Sequence, residues 1–162
     1  MDTSKYLDIK LKGRSPLELV EALTTLSSLF SDPTVALEEL NIVQGTTRED
    51  PDQIFVTYFH LNEEQLNDRK DYVDAAMENY ISKLPKPRVI TENFLHFAEI
   101  YANYSQVRDI DNLNLLLQSL TTHLEGLDSD YSIQEIKFVD HTNEDALREP
   151  HFELLAIRNS SK

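Results

Sequence analysis

Residues Glu38–Phe59 open with Glu38-Glu39-Leu40-Asn41-Ile42-Val43-Gln44, cross a polar, acidic loop and resume as the apolar run Ile54–Phe59. Further along, Gln134-Glu135-Ile136-Lys137-Phe138-Val139-Asp140 repeats the same order of residue types, followed by an acidic loop and the run Phe152–Ile157. Alternating apolar residues on either side of a polar loop predict a β-hairpin. The chain therefore contains a hairpin and its echo.

Working outward, Tyr6–Lys12 places Leu7, Ile9 and Leu11 on one face and Asp8, Lys10 and Lys12 on the other, the pattern of a half-buried strand ended by Gly13. Ser15-Pro16-Leu17-Glu18 is a helix start, with Ser15 as cap, Pro16 in the first turn and Glu18 closing a capping box. This helix is expected to reach Ser31, with Leu19, Val20, Leu23, Leu26 and Phe30 facing the core and Asp32-Pro33 stopping it. The first hairpin is expected at Glu39–Gln44 and Gln53–Leu61. Asn62 then opens a predicted helix over Glu63–Lys83, with Leu66, Val73, Met77, Tyr80 and Leu84 on one stripe. Pro85-Lys86-Pro87 breaks the chain. Phe94–Tyr104 fits both periods, and is read as a strand by analogy with the first copy. Asp109 or Asp111 is expected to cap the next helix, which contains Leu113, Leu116, Leu117, Leu120 and Leu124 and ends at Gly126, and the second hairpin is expected at about Ser132–Val139 and His151–Arg158.

The reading is an α+β fold in a single domain, residues 1–162, with duplicated β-α-β-β units at about 5–61 and 94–158 joined by the helix over 63–84. An antiparallel sheet, or sheets, would be covered by helices. Leu23-Thr24-Thr25 matches Leu120-Thr121-Thr122, Leu40 matches Ile136, Ile54 matches Phe152, and Leu7 and Ile9 are matched to Leu95 and Phe97. The alternative is a ferredoxin-like core over Tyr6–Tyr104 with the last helix and hairpin appended. In element order the duplicated arrangement is similar to the drug-binding domains related to the gyrase inhibitory protein. That resemblance implies a small-molecule cleft between the halves, and no residue is carried over from it.

Composition narrows the function. Acidic residues outnumber Lys and Arg by 29 to 15, a formal charge of −14, which disfavours nucleic acid and anionic membrane and favours a basic protein partner. There is no cysteine, so thiol chemistry and disulfides are excluded. The N-terminus lacks the pattern of a secretory signal and no apolar run is long enough to span a bilayer, so a cytoplasmic location is expected. The three glycines, Gly13, Gly45 and Gly126, lie too far apart to build a phosphate-cradling loop.

No catalytic, cofactor or metal residue is predicted. His141 and His151 flank the second hairpin loop with Asp140, Glu144, Asp145 and Glu149, but without a regular ligand spacing. His60 and His96 fall in strands, and His123 at a helix end. Asp128-Ser129-Asp130 resembles the start of a calcium loop, yet Ile133 and Val139 stand where the turn glycine and the bidentate Glu are required. The sharpest surface feature is the acidic row Glu64, Asp68, Asp71 and Glu78. Seven residues of helix rise about 10.5 Å, so Glu64, Asp71 and Glu78 repeat at that spacing as a tentative partner-binding stripe. These features predict a non-enzymatic, acidic protein-binding module, of inhibitor or immunity type or an adaptor. A small-molecule-binding cleft between the halves, and an enzyme without a sequence signature, are the alternatives.

Overall fold

A computed structural model of the chain describes residues 4–47, 49–67, 88–101, 113–139 and 151–158. Seven strands, β1 (Lys5–Lys10), β2 (Val35–Val43), β3 (Gln53–His60), β4 (Val89–Glu92), β5 (Leu95–Ile100), β6 (Tyr131–Val139) and β7 (His151–Arg158), form one sheet in the order β1-β3-β2-β6-β7-β5-β4. Every pairing is antiparallel. Helices α1 (Pro16–Thr24), α2 (Ser27–Phe30) and α4 (Leu113–Glu125) join the sheet's core, while α3 is described over 63–67. No helix among the described residues is long and apolar enough to cross a membrane.

Both hairpins form, because apolar alternation gives each a face to bury. Each also carries the irregularity hidden in the quoted stretch. Where β2 pairs with β3 the register shifts between Leu37 and Glu39, and where β6 pairs with β7 it shifts between Ile133 and Glu135. One extra residue opposite a single partner is a β-bulge. It explains why two polar residues in succession, Glu38-Glu39 or Gln134-Glu135, do not throw the next apolar side chain onto the wrong face. Leu37 and Leu40 are both buried, as are Ile133 and Ile136.

The capping box at α1 is present: the Ser15 Oγ accepts from the Glu18 N–H at 3.3 Å, and the Glu18 carboxylate accepts from the Ser15 N–H at 3.3 Å. A Cβ on Gly13 would meet that carboxylate, so a larger residue there would displace the Glu18 side chain from its capping position. The helix does not run unbroken to Ser31. It stops at Thr24, where the Thr24 and Thr25 hydroxyls donate back to the Val20 and Ala22 carbonyls at 2.7 and 2.6 Å. Such back-bonding competes with the helical ladder. Leu26 and Phe30 remain buried, carried by α2. Asn62 caps α3 reciprocally with Gln65, at 2.8 and 2.9 Å.

Three further expectations change. Leu95–Ile100 is a strand, but β4 was not foreseen; it forms a hairpin with β5 through Asn93-Phe94, with Asn93 in the left-handed region at φ 53. A ferredoxin-like core would require β5 to lie beside the first three strands, whereas it pairs with β7 and β4. Finally, Leu7 and Ile9 share the helix-covered face with Ala98 and Ile100, because these pair with the buried Leu154 and Phe152. Leu95 and Phe97 point to the opposite face.

Beneath the helices, Leu19, Leu23, Leu26, Leu40, Ile54, Leu120, Ile133, Ile136, Phe152 and Leu154 belong to one apolar cluster. α1 and α4 pack side by side over it. Arg14 ties the start of β3 to β6: its Nε donates to Asp52 at 2.7 Å and its Nη1 to the Ile133 and Gln134 carbonyls at 2.7 and 3.1 Å. The Gly45 N–H and the Arg14 guanidinium hold the Asp52 carboxyl below the usual carboxylate range.

Candidate binding face

The face of the sheet opposite α1 and α4 carries the chemistry. One straight row crosses it through successive cross-strand neighbours: Asp8, Phe55, Asn41, Lys137, Glu153, Glu99. The Glu99 N–H donates to the Arg88 carbonyl at 2.8 Å, which sets Arg88 as the next member. In the β6-β7-β5 part of the row, two adjacent carboxylates, Glu153 and Glu99, are bracketed by a cation on each side. Lys137 lies 3.6 Å from Glu153, and Arg88 lies 3.3 Å from Glu99.

His151, two residues before Glu153 on β7, projects on the same side. Its Nε2 sits 3.5 Å from Glu153 and 4.0 Å from Glu99, and the Tyr101 ring stacks on it with centroids 4.6 Å apart. Burial pushes the Glu99 carboxyl up, but the Arg88 N–H and guanidinium, with His151, outweigh it and hold the group below its ordinary value.

Glu99, His151 and Glu153 offer one oxygen or nitrogen each within 4.8 Å of one another, a donor set of the kind zinc or manganese accepts. Both carboxylates already have a cationic side chain beside them, and Arg88 lies against the same Glu99 oxygen that faces His151, so a metal bound there would have to displace Arg88. As a general acid–base pair the group is poorly placed, since a substrate must reach the proton and His151 is 1% exposed. The cluster is best described as an ion-pair ladder that keeps charges satisfied within a sheet.

Beside this ladder the same face turns apolar. One row runs Ile90, Phe97, Leu155, Glu135 and the next Glu92, Leu95, Ile157, Ser132. Ile90, Leu95 and Ile157 are 42%, 40% and 41% exposed, with Phe97 and Leu155 half-buried between them. The Arg88 guanidinium lies over the Phe97 ring, 5.6 Å from its centroid, closing one side of the patch. Glu92 and Glu135 border it and are exposed.

A second titratable pair lies on the helix side. His96 and His123 approach Nε2 to Nε2 at 2.9 Å, with ring centroids 5.2 Å apart and planes 25° apart. The centroid distance exceeds the nitrogen distance by about one ring width, so the two lone-pair directions meet head to head. That is an N–H···N hydrogen bond, and it leaves no apex at which a metal would bind both. Thr91 contacts the His96 Nδ1 at 2.8 Å. Burial lowers the pKa of both rings, and His96 adds to the effect on His123.

Of the acidic helix row, Glu64 is exposed on α3 and lines an open hollow with Asn62, Glu63 and Asn67. Asp68, Asp71 and Glu78 lie outside the described residues, as do His141, Asp140, Glu144, Asp145 and Glu149. His151 joins Glu99 and Glu153 in a grouping that sequence reading missed. The available signal was parity: Leu95, Phe97 and Glu99 alternate onto one face of β5, as do His151, Glu153, Leu155 and Ile157 on β7. No family model matches the chain, and neither a curated protein nor a solved structure matches it.

Proposed function

We propose that the chain is a non-enzymatic protein-binding module for a basic partner, of the inhibitor or immunity type or an adaptor. The observation that carries this reading is the exposed patch of Ile90, Leu95 and Ile157 on the face opposite α1 and α4, bordered by Glu92 and Glu135. Exposed apolar area inside a polar rim is the usual composition of a protein interface. The formal charge of −14 selects a basic partner and speeds its encounter. The acidic row beginning at Glu64 belongs to the same proposal as a steering element. The enzyme alternative is not favoured by a histidine sealed beneath the surface. A ligand cleft between halves gains no support where β2 and β6 meet by direct strand pairing.

We also read the chain as a duplicated β-α-β-β unit. The strand order runs β1-β3-β2 inward from one end and, inside the edge strand β4, β5-β7-β6 from the other. The two register shifts fall at Leu37/Glu39 and Ile133/Glu135, which are 96 positions apart (133 minus 37). Asn41 pairs with Lys137, also 96 positions away (137 minus 41), as equivalent residues would beside a local two-fold axis. On this register Leu7 corresponds to Ala98, a separation of 91 (98 minus 7) in place of the 88 that Leu95 implied (95 minus 7).

The test is affinity capture from native lysate at low and moderate salt, comparing wild type with the double variant Leu95→Asp/Ile157→Asp. Leu17→Asp, on the helix side, serves as the surface control. A single basic partner in stoichiometric amount, released by salt, is expected with wild type and the control. Its recovery should fall at least about tenfold with the double variant, one such step being roughly 1.4 kcal/mol of interface energy. Equal recovery by a folded double variant would remove the patch from the interface.

A further inference from the structure

We infer that the partner is held by strand addition at the outer edge of β4, by an extended segment that carries an apolar and a basic side chain two residues apart, on one face. The inference rests on the protein-binding reading and specifies its geometry. Because the Glu99 N–H bonds to the Arg88 carbonyl, the alternation of an antiparallel ladder turns Arg88, Ile90 and Glu92 inward. Val89 and Thr91 therefore point their N–H and C=O groups away from β5. β4 ends the sheet, so no described strand takes these groups up.

The two edges of the sheet differ. β1, at the far end, carries Lys5, Asp8 and Lys10, charges of the kind that discourage another strand from pairing. β4 presents Val-Ile-Thr without a charge until Glu92, and all four of its residues are exposed, Val89 at 55%. Such an edge is a template for β-augmentation, in which main-chain bonds supply affinity and alternate side chains supply specificity. An added strand would extend the Ile90–Phe97–Leu155 row with an apolar side chain, and would set a second side chain, two residues away, against Glu92. Glu92, with Glu135 farther across the face and the charge of −14, selects Lys or Arg there. The same charge opposes a second copy of this chain as occupant.

The probe is a capped heptapeptide with threonine at its odd positions and valine, arginine and valine in turn at its even ones, which puts valine and arginine two residues apart on one face; it is titrated into the full chain and followed by amide hydrogen exchange and NMR shifts. Comparators are the valine–glutamate peptide and a valine–arginine peptide N-methylated along its bonding edge. The expected result is that the valine–arginine peptide slows exchange of the Val89 and Thr91 amides at least about tenfold, while both comparators fail. Val89→Pro removes an outward N–H without touching the bonds to β5. It should weaken binding about tenfold, while Val89→Ala, which keeps the N–H, should not. Retained protection of the Phe97 and Glu99 amides would show β4–β5 intact. Should the proline variant fail to fold, the N-methylated peptide decides on the wild-type chain.

Binding with unchanged Val89 and Thr91 exchange would overturn strand addition and leave the patch reading standing. Equal binding of the valine–glutamate peptide would overturn the basic partner. A concentration-dependent dimer in sedimentation, lost in Val89→Pro, would assign the edge to a second copy and overturn the inference. If no peptide binds the edge, strand addition falls; loss of lysate capture in the Leu95/Ile157 experiment would still support the patch independently.

Discussion

Truncating Phe152 to alanine is expected to lower the stability of the fold by about 3–5 kcal/mol. Phe152 is fully buried on β7, lies between Ile100 on β5 and Phe138 on β6, and meets the Phe138 ring edge-on at 5.8 Å. Its neighbours are held by strand pairing on both sides, so the cavity left by the ring cannot readily collapse. Ile54 occupies the matching place in the β1-β3-β2 part, between Ile9 and Ile42, and Ile54→Ala should cost about 2–5 kcal/mol. Both residues belong to one apolar cluster, and β2 pairs with β6. Both variants should therefore move a single cooperative urea transition to lower denaturant without changing its slope. Far-ultraviolet circular dichroism and tyrosine fluorescence, the chain having no tryptophan, are the two probes. If Phe152→Ala splits the curve and leaves one step unmoved, the two ends of the sheet fold separately, and the single-domain assignment over 1–162 fails.

The parts of this fold that can be read from sequence are those where a local rule and the tertiary environment agree. Ser15 and Glu18 form the capping box their spacing implies, and both hairpins form where apolar alternation meets a polar loop. The short strand β4 escapes such reading. Val-Ile-Thr-Glu is exposed along its length and shows no alternation of burial, and its turn, Asn93-Phe94, lacks the glycine that usually marks a tight hairpin. The ion-pair ladder escapes it for a different reason, since Glu99 and His151 become neighbours only through the register of β5 on β7. Matching Leu95 and Phe97 to Leu7 and Ile9 is the most informative failure. Large apolar residues in alternation look like a core face, whereas here Ala98 and His96 take the core positions. The apolar residues of β5 that mimic a core are members of the exposed patch. A local pattern that disagrees with the fold is expected at a functional surface.

Stability should fall as pH is lowered through about 6.5, the ordinary histidine value, because of His96 and His123. Burial lowers both rings' pKa in the folded chain, and in the unfolded chain both return to the ordinary value. The contribution to stability is thus complete above the unfolded value. It is lost as pH falls below that value, where the unfolded chain binds protons that the folded chain refuses. The slope is about 1.4 kcal/mol per pH unit for each such proton, approaching twice that when both rings contribute. The head-to-head contact sharpens the effect, since an N–H···N bond needs one nitrogen free of a proton and two protonated rings at 2.9 Å would repel. Carboxylates act in the same direction at lower pH, because Glu99, Asp52 and Asp32 all have lowered values and lose their contribution only on protonation. The histidine step therefore separates from the carboxylate step on the pH axis. His123→Gln, which keeps a polar group at the end of α4 but does not titrate, should flatten the dependence between pH 7 and 5, leaving only the part due to His96. Urea midpoints measured at half-unit intervals decide the matter. An unaltered profile in the variant would mean that the pair carries the same protons folded and unfolded, and that the acid sensitivity arises elsewhere.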